Sequence, residues 1–305
     1  MSPKLMLVTS KINMKDSYHH LFSKPLEGKV ICHNDQERSI VMNLLALSIA
    51  SSSVKLLAFA LMSNHFHFLL EGRKEACLAF FDTFRCNLRR ASYQISGSSL
   101  ITGMQTGMVD IEDKWQFQNE LAYIVRNPFV AMKDVNPLAY PWCSGYLYFN
   151  NMLDLSGEPL CALGTRKLRA FCCSRYPEIP QTSILVRDGM AIPATFTDYG
   201  KAMSFFDDAR QFIMSVFKNV EAQVEIAHRM GEKPFLNDDE LYGTVIRQSR
   251  LLFQTGKIQD LSDQQKMRLA HRLKAYYQCS NAQVARVLYL PIQTVNDLFP
   301  LAAKP

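Results

Sequence analysis

The sequence predicts an α+β protein, with an antiparallel sheet layered by helices in its N-terminal half and an all-α region at its C-terminal end. Three observations predict it. β-rich runs and segments of helical period alternate over the first 130 residues in the order β, α, β, β, α, β, with a further helix after them. Two of the β-rich runs, "VKLLAFALM" and "HFHFLLE", are separated by only "SN", which suits a hairpin. Beyond residue 233 the signals are helical caps and helical spacing.

In chain order, the first strand is read at Tyr18 to Phe22 in "SYHHLFS", followed by the loop "KPLEGKVICHND". A helix comes next, with Asp35 as its cap, Glu37 in its first turn, and Ile40, Leu44, Leu45 and Ile49 on one buried face; it ends near "ASSS". After the hairpin, Lys74 to Tyr93 is helical, with Leu78, Phe81, Leu88 and Tyr93 as core positions and Arg85, Arg89 and Arg90 near its end. "SGSSLITGMQTGMVD" reads as loop and a weak strand. "DKWQFQNELAYIVRNP" is a helix that proline ends at or just before Asn127, because the residue preceding a proline is driven out of the helical region. This order is that of a ferredoxin-like sheet.

That domain spans 1–149. Residues 150–233 form a helical middle region, and 234–305 a helical C-terminal domain. There Ser262 caps "DQQKMRLAHRLKAYY", and "SNAQVARVLYLPIQTVNDLF" has two short helices about a turn marked by Pro291, as a helix-turn-helix would.

Composition narrows the class. Lys and Arg exceed Asp and Glu by 34 to 28, which permits a polyanionic partner without requiring one. The eight cysteines show neither a C-x-x-C pair nor an even framework, so a zinc ribbon and a disulfide scaffold are both disfavoured. Neither a secretory leader nor an apolar run of about 18 residues is apparent, and a cytoplasmic, soluble protein is expected.

The chemistry gathers at "MSNHFHFLLEG". On a strand His65 and His67 share one face while Phe66 and Phe68 share the other, and the two Cα atoms are about 7 Å apart, within reach of one ion. The motif alone is equally at home on a solvated sheet face. Tyr123 and Asn127 in "YIVRNP", four apart on a helix, present a phenol and an amide side by side. The bland role for Tyr123 is a core tyrosine packed on Leu121 and Ile124. Arg85, Arg89 and Arg90 suit either a phosphate-binding strip, with Tyr93 stacking on a base, or a solvated helix face. His19 and His20 fit an edge or core role better than ligation, and Cys172 and Cys173 are read as structural.

"MSNHFHFLLEG", then "YIVRNPFVA" some fifty residues on, then "YPWCSGYLYF", with "YHHLFSKPLEGKVI" and "LLAFALM" upstream, resembles the single-tyrosine HUH transposases, in particular the REP-associated tyrosine transposase branch. The resemblance covers residues 18 to 149. It implies the HUH endonuclease fold, a single-stranded DNA substrate with a hairpin or palindromic repeat, and strand transfer through a 5′-phosphotyrosine. Carried over by position, His65, His67 and Asn127 would hold Mg²⁺ or Mn²⁺, and Tyr123 would be the nucleophile. The imidazoles are then expected to face Tyr123 across a shallow cleft. Phe129 and Val130 stand where many relatives carry a basic residue, which bears on DNA contacts rather than on the chemistry.

Two neutral imidazoles and an amide suit this role physically, since they leave a bound ion its charge and open positions for phosphate oxygens. A phenol has a reference pKa near 10, so Tyr123 needs local activation, for which Arg126 is a candidate cation. A homodimer and a monomer are both compatible with the sequence. The alternative is a domesticated, non-catalytic DNA-binding or regulatory protein of the same fold. A histidine-triad nucleotide hydrolase would want a third alternating histidine, and residue 69 is Leu69.

In the C-terminal region the second short helix offers Gln293, Thr294, Asn296 and Asp297 for base contact but no Lys or Arg, and Tyr289 stands where a turn glycine is usual. Phosphate positioning would fall to Arg268, Arg272 and Lys274.

Overall fold

A computed structural model describes residues 17–300 apart from 27–28, 92–93, 97, 132–135, 176–179, 181 and 219. The chain divides into two compact units, Met1–Asn219 and Val220–Pro305. The described residues are α+β, and none of their helices is long and apolar enough to cross a membrane.

The first unit is organised by β1 (Tyr18–Ser23), α1 (Asp35–Ala50), β2 (Lys55–Leu61), β3 (Phe66–Glu71), α2 (Lys74–Arg90), β4 (Thr106–Ile111) and α3 (Lys114–Ala131). The four strands form one antiparallel sheet in the order β2-β3-β1-β4. β3 is the axis of the design. Phe66 and Phe68 are fully buried on one face and meet Phe80 and Phe84 of α2 with ring centroids 5.4 to 5.6 Å apart. Strand alternation sends His67 to the other face, which α3 covers. The antiparallel register pairs His67 with Phe22 of β1, placing His20 diagonally across from it on the same face.

The element order agrees with the sequence reading, and several details differ for identifiable reasons. Asn34, not Asp35, caps α1: its Oδ1 accepts from Glu37 N at 2.9 Å, and Asp35 becomes the first helical residue. The hairpin link runs over four residues rather than two. Met62 N donates to His65 O at 3.0 Å, so His65 sits in the turn and only His67 lies on β3. On α2 the buried face is Cys77, Phe80, Phe81, Phe84 and Leu88, and Leu78 is exposed. Tyr93 lies outside the described residues.

The largest correction concerns α3, which does not stop before Asn127 but runs through Pro128 to Ala131. Proline removes the N–H that Ile124 O would accept. The thiol of Cys143 approaches that carbonyl at 3.8 Å, and the adjoining Val125 O at 4.0 Å, offering a weak replacement. Cys143 belongs to the segment "YPWCSGYLYF", whose work is to cover the free edge of β2. Leu61 N donates to Trp142 O at 2.8 Å, Phe59 N donates to Ser144 Oγ at 3.0 Å, and the Tyr148 hydroxyl donates to Leu57 O at 2.7 Å.

The middle region, 150–233, is read from sequence as helical, and it also includes a small antiparallel sheet. It comprises β5 (Glu158–Pro159), β6 (Leu185–Arg187) and β7 (Met190–Ala191), accompanied by α4 (Thr165–Phe171), α5 (Tyr199–Met203) and α6 (Ala209–Lys218). Asn43 of α1 joins the two parts: its Nδ2 donates to Gly189 O and its Oδ1 accepts from Ala191 N, both at 2.8 Å. All eight cysteines are free.

The second unit holds α7 (Val220–Met230), α8 (Asp238–Phe253), α9 (Asp263–Tyr276), α10 (Asn281–Leu288) and α11 (Ile292–Leu298). Its own core includes Leu241, Val245, Leu269, Leu273, Val284, Leu288 and Val295. Asn237, Ser262 and Ser280 each make a reciprocal capping box with the residue three places on, the cap read from sequence at Ser262 among them. Between α10 and α11, Tyr289 takes the left-handed conformation at φ 52° and ψ 44° that glycine would adopt more easily, and Pro291 precedes the first turn of α11.

Candidate metal and nucleophile site

Four segments of the first unit converge on one face of the sheet. β1 brings His20, the hairpin turn brings Asn64 and His65, β3 brings His67, and α3 brings Glu120, Tyr123 and Asn127. Residues 120, 123 and 127 recur at three and four positions, so one face of α3 presents all three. A ring nitrogen of His65 and one of His67 lie within 4.8 Å of each other, close enough to serve a single ion. Their ring centroids are 4.9 Å apart, with the planes nearly perpendicular.

The Asn127 amide bridges the pair. Its Nδ2 donates to His67 Nε2 at 3.1 Å, and its Oδ1 lies 3.2 Å from His65 Nε2. On the far side of His65, Nδ1 is 2.7 Å from Asn64 Oδ1, and Asn64 Nδ2 donates to Leu26 O at 3.4 Å. In that arrangement His65 donates from Nδ1 and keeps a lone pair on Nε2, which faces the lone pairs of Asn127 Oδ1. Two acceptors directed at each other across 3.2 Å are a mismatch that a cation relieves. Two imidazole nitrogens and an amide oxygen are donors that fit a divalent ion.

Burial keeps the imidazoles in the form that ligation needs. His65 is pushed down to about 4, chiefly by desolvation, opposed by the Asn127 oxygen, which would accept from a protonated Nε2. His67 is held well below its ordinary value by desolvation and then by the neighbouring His65 and His20.

A stability consequence follows. The unfolded chain takes up a proton at His65 near pH 6.5 and the folded chain only near 4, so stability is fully present above the first value and is lost as pH falls toward the second. For metal-free protein the loss across that window is about 3 kcal/mol from His65 alone. Urea unfolding in EDTA at pH 7, 6, 5 and 4 checks this, with His65→Gln expected to flatten the pH dependence.

Tyr123 sits one turn before Asn127, its ring edge-on to His67 at 5.7 Å and tilted to His20 at 6.2 Å. It packs against the imidazoles themselves and is 7% exposed, so the shallow open cleft expected from sequence is absent at this residue. Phe66 and Phe68 are buried behind the histidines, as expected.

The basic residues singled out in the sequence lie elsewhere. α2 packs on the opposite face of the sheet, so Arg85, Arg89 and Arg90 are separated from the histidines by the sheet. Arg85 pairs with Asp82 at 2.7 Å, and the other two are exposed. Arg126 is buried, donates from Nη1 to Val216 O at 3.2 Å and lies over the Phe129 ring at 5.5 Å, which directs it toward α6. In the second unit, Gln293 Nε2 donates to Asp297 Oδ1 at 2.9 Å, and Asn281 Nδ2 donates to Asn296 Oδ1 at 3.0 Å. Arg268 and Arg272 lie over the rings of Phe253 and Tyr276, and Lys274 Nζ donates to Cys279 O at 3.0 Å.

Sequence reasoning missed Glu120 altogether and gave His20, read as an edge or core residue rather than a ligand, no part in the site. Both are completely buried, and they form a hydrogen bond of 2.7 Å. The signal for Glu120 was present in the helical spacing of Tyr123 and Asn127, extended one turn back. For His20 it was the alternation of β1 against the neighbouring histidine strand. His19, by contrast, points away and bonds Asp110 at 2.9 Å. Comparison with protein-family models, with curated proteins and with solved structures finds no match for this chain.

Proposed function

We propose that the first unit is a metal-dependent DNA strand-transfer centre of the HUH type, cutting single-stranded DNA at a hairpin or palindromic repeat through a covalent tyrosine intermediate. One observation carries the reading: the Tyr123 ring lies edge-on to His67, one turn of α3 before the Asn127 amide that bridges His67 and His65. The β-α-β-β-α-β order and the β2-β3-β1-β4 sheet support the ferredoxin-like form of that fold. The turn between α10 and α11 supports a helix-turn-helix in the second unit, although Gln293 already bonds Asp297 and Asn296 already bonds Asn281.

His65, His67 and Asn127 would hold Mg²⁺ or Mn²⁺. When bound, such an ion supplies a Lewis acid to the scissile phosphate. The protein's own part is positional. Asn127 spaces the two imidazoles, and α3 delivers the phenol one turn away from that amide. The Tyr123 oxygen, having lost its proton to a base, attacks phosphorus; the bond from phosphorus to the 3′ oxygen breaks, and that oxygen takes up a proton. The products are a 5′-phosphotyrosine and a free 3′-hydroxyl, and the phosphodiester energy is kept for rejoining. The net charge of +6 suits a polyanionic substrate.

The burial of Tyr123 favours a second reading, a protein of the same fold that binds DNA without turnover. Incubating the full chain with labelled single-stranded hairpin oligonucleotides and Mn²⁺ or Mg²⁺ separates the two. The first reading expects a covalent adduct on a denaturing gel that EDTA prevents. Retarded complexes with no nick under either metal would establish the second.

A further inference from the structure

We infer that Glu120, acting through His20, fixes the tautomer of His67 and the orientation of the Asn127 amide, so that the lone pairs of the candidate ligands point to one place. This rests on the reading of His65, His67 and Asn127 as a cation site and assigns two further positioning residues to it.

The case begins with a carboxylate that has no solvent. Glu120 and His20 are both 0% exposed, and a buried carboxylate is retained only where hydrogen bonds or charge partners offset its desolvation. Glu120 Oε2 lies 2.7 Å from His20 Nδ1, and a carboxylate oxygen accepts, so the proton on the His20 ring is at Nδ1. In the neutral ring Nε2 is then an acceptor. It lies 3.1 Å from His67 Nδ1, which must therefore carry the hydrogen. That leaves His67 Nε2 as a bare lone pair. It accepts from Asn127 Nδ2 at 3.1 Å, which turns Asn127 Oδ1 toward His65 Nε2.

Each link from Glu120 to Asn127 has one donor and one acceptor, and the direction of that chain is set at its carboxylate end. Reversing it would place a hydrogen on His67 Nε2, the atom that ligation needs free, and would turn the amide nitrogen of Asn127 toward His65. The usual arrangement around a metal-ligating histidine is a carboxylate or carbonyl accepting from its other ring nitrogen. Here a second imidazole is interposed, since Glu120 of α3 meets His20 of β1 and His20 in turn meets His67 of β3. Neither residue reaches the converging lone pairs, so both act through His67.

Two measurements test this on the full chain. Long-range nitrogen–proton spectra of histidine-labelled, metal-free protein report the tautomer directly. The expected result is Nδ1–H on both His20 and His67 in the wild type, with His67 shifting toward Nε2–H in Glu120→Ala. An Nε2-protonated His67 in the wild type overturns the inference whether or not any variant folds.

The second measurement is Mn²⁺ affinity, from the paramagnetic resonance of free Mn²⁺. His20→Leu and Glu120→Ala should each lose about 10- to 100-fold, the usual effect of removing an outer partner of a ligand. His20→Gln, whose amide can both donate to Glu120 and accept from His67, should stay close to wild type. Unchanged affinity in a folded His20→Leu overturns the inference. A wild type that binds no Mn²⁺ instead overturns the reading of the site, and the spectra still decide the tautomer.

Discussion

Tyr123→Phe should abolish the covalent protein–DNA adduct while leaving the fold and the binding of a single-stranded hairpin intact. The phenyl ring keeps the edge contacts with His67 at 5.7 Å and His20 at 6.2 Å and loses only the oxygen. With the phenol oxygen removed, strand cleavage should fall on the order of 10⁴-fold or more, in the range seen when an enzyme's nucleophile is removed. Denaturing gels with 5′- and 3′-labelled oligonucleotides read the outcome. An adduct that persists in Tyr123→Phe would move the nucleophile elsewhere in the chain, and Glu120, on the same helix face, would be the next residue to substitute.

His67→Ala should be the most damaging change at the site, in two separate ways. It removes a ligand atom, so Mn²⁺ affinity and metal-dependent nicking should fall further than the roughly 10- to 100-fold expected when an outer partner is lost. It also strands two buried groups, His20 Nε2 and Asn127 Nδ2, each of which loses its partner at a cost of about 1–3 kcal/mol. Metal titration and urea unfolding in EDTA measure the two effects independently. Affinity equal to wild type would exclude His67 as a ligand, and an unchanged unfolding midpoint would mean that water enters to satisfy both stranded groups. His65→Ala should show the first effect with less of the second, since His65 lies in the turn and its outer partner is the neighbouring Asn64 side chain.

Much of the sheet could be read from the chain because it depends on local alternation. β1, β2, β3 and β4 follow β-rich runs bounded by turn residues, and the capping box at Ser262 marks a helix start through two reciprocal hydrogen bonds. The readings that failed were those in which a local rule competed with a distant partner. Pro128 ought to end α3, yet the Cys143 thiol, fifteen residues on, approaches the carbonyl that proline leaves open. Leu78 ought to be core by its helical spacing, yet it is exposed while Phe80, Phe81 and Phe84 are buried. That the arginines of α2 lie across the sheet from the histidines was not legible either, because nothing in the sequence tells which face of the sheet a helix will cover.

By itself the sequence determined which residue types were available for chemistry and which of them share a face within one element: His67 opposite Phe66 and Phe68 on β3, and Tyr123 beside Asn127 on α3. Those relations follow from the two-residue period of a strand and the 3.6-residue period of a helix. Only the tertiary structure decided which faces meet. Sheet order β2-β3-β1-β4 seats β1 against β3, and α3 crosses the face that carries His20 and His67. That contact brings Glu120 to a histidine a hundred residues earlier in the chain. Hydrogen-bond direction then passes along the contact one proton at a time, a property of the assembled set that no single stretch of sequence contains.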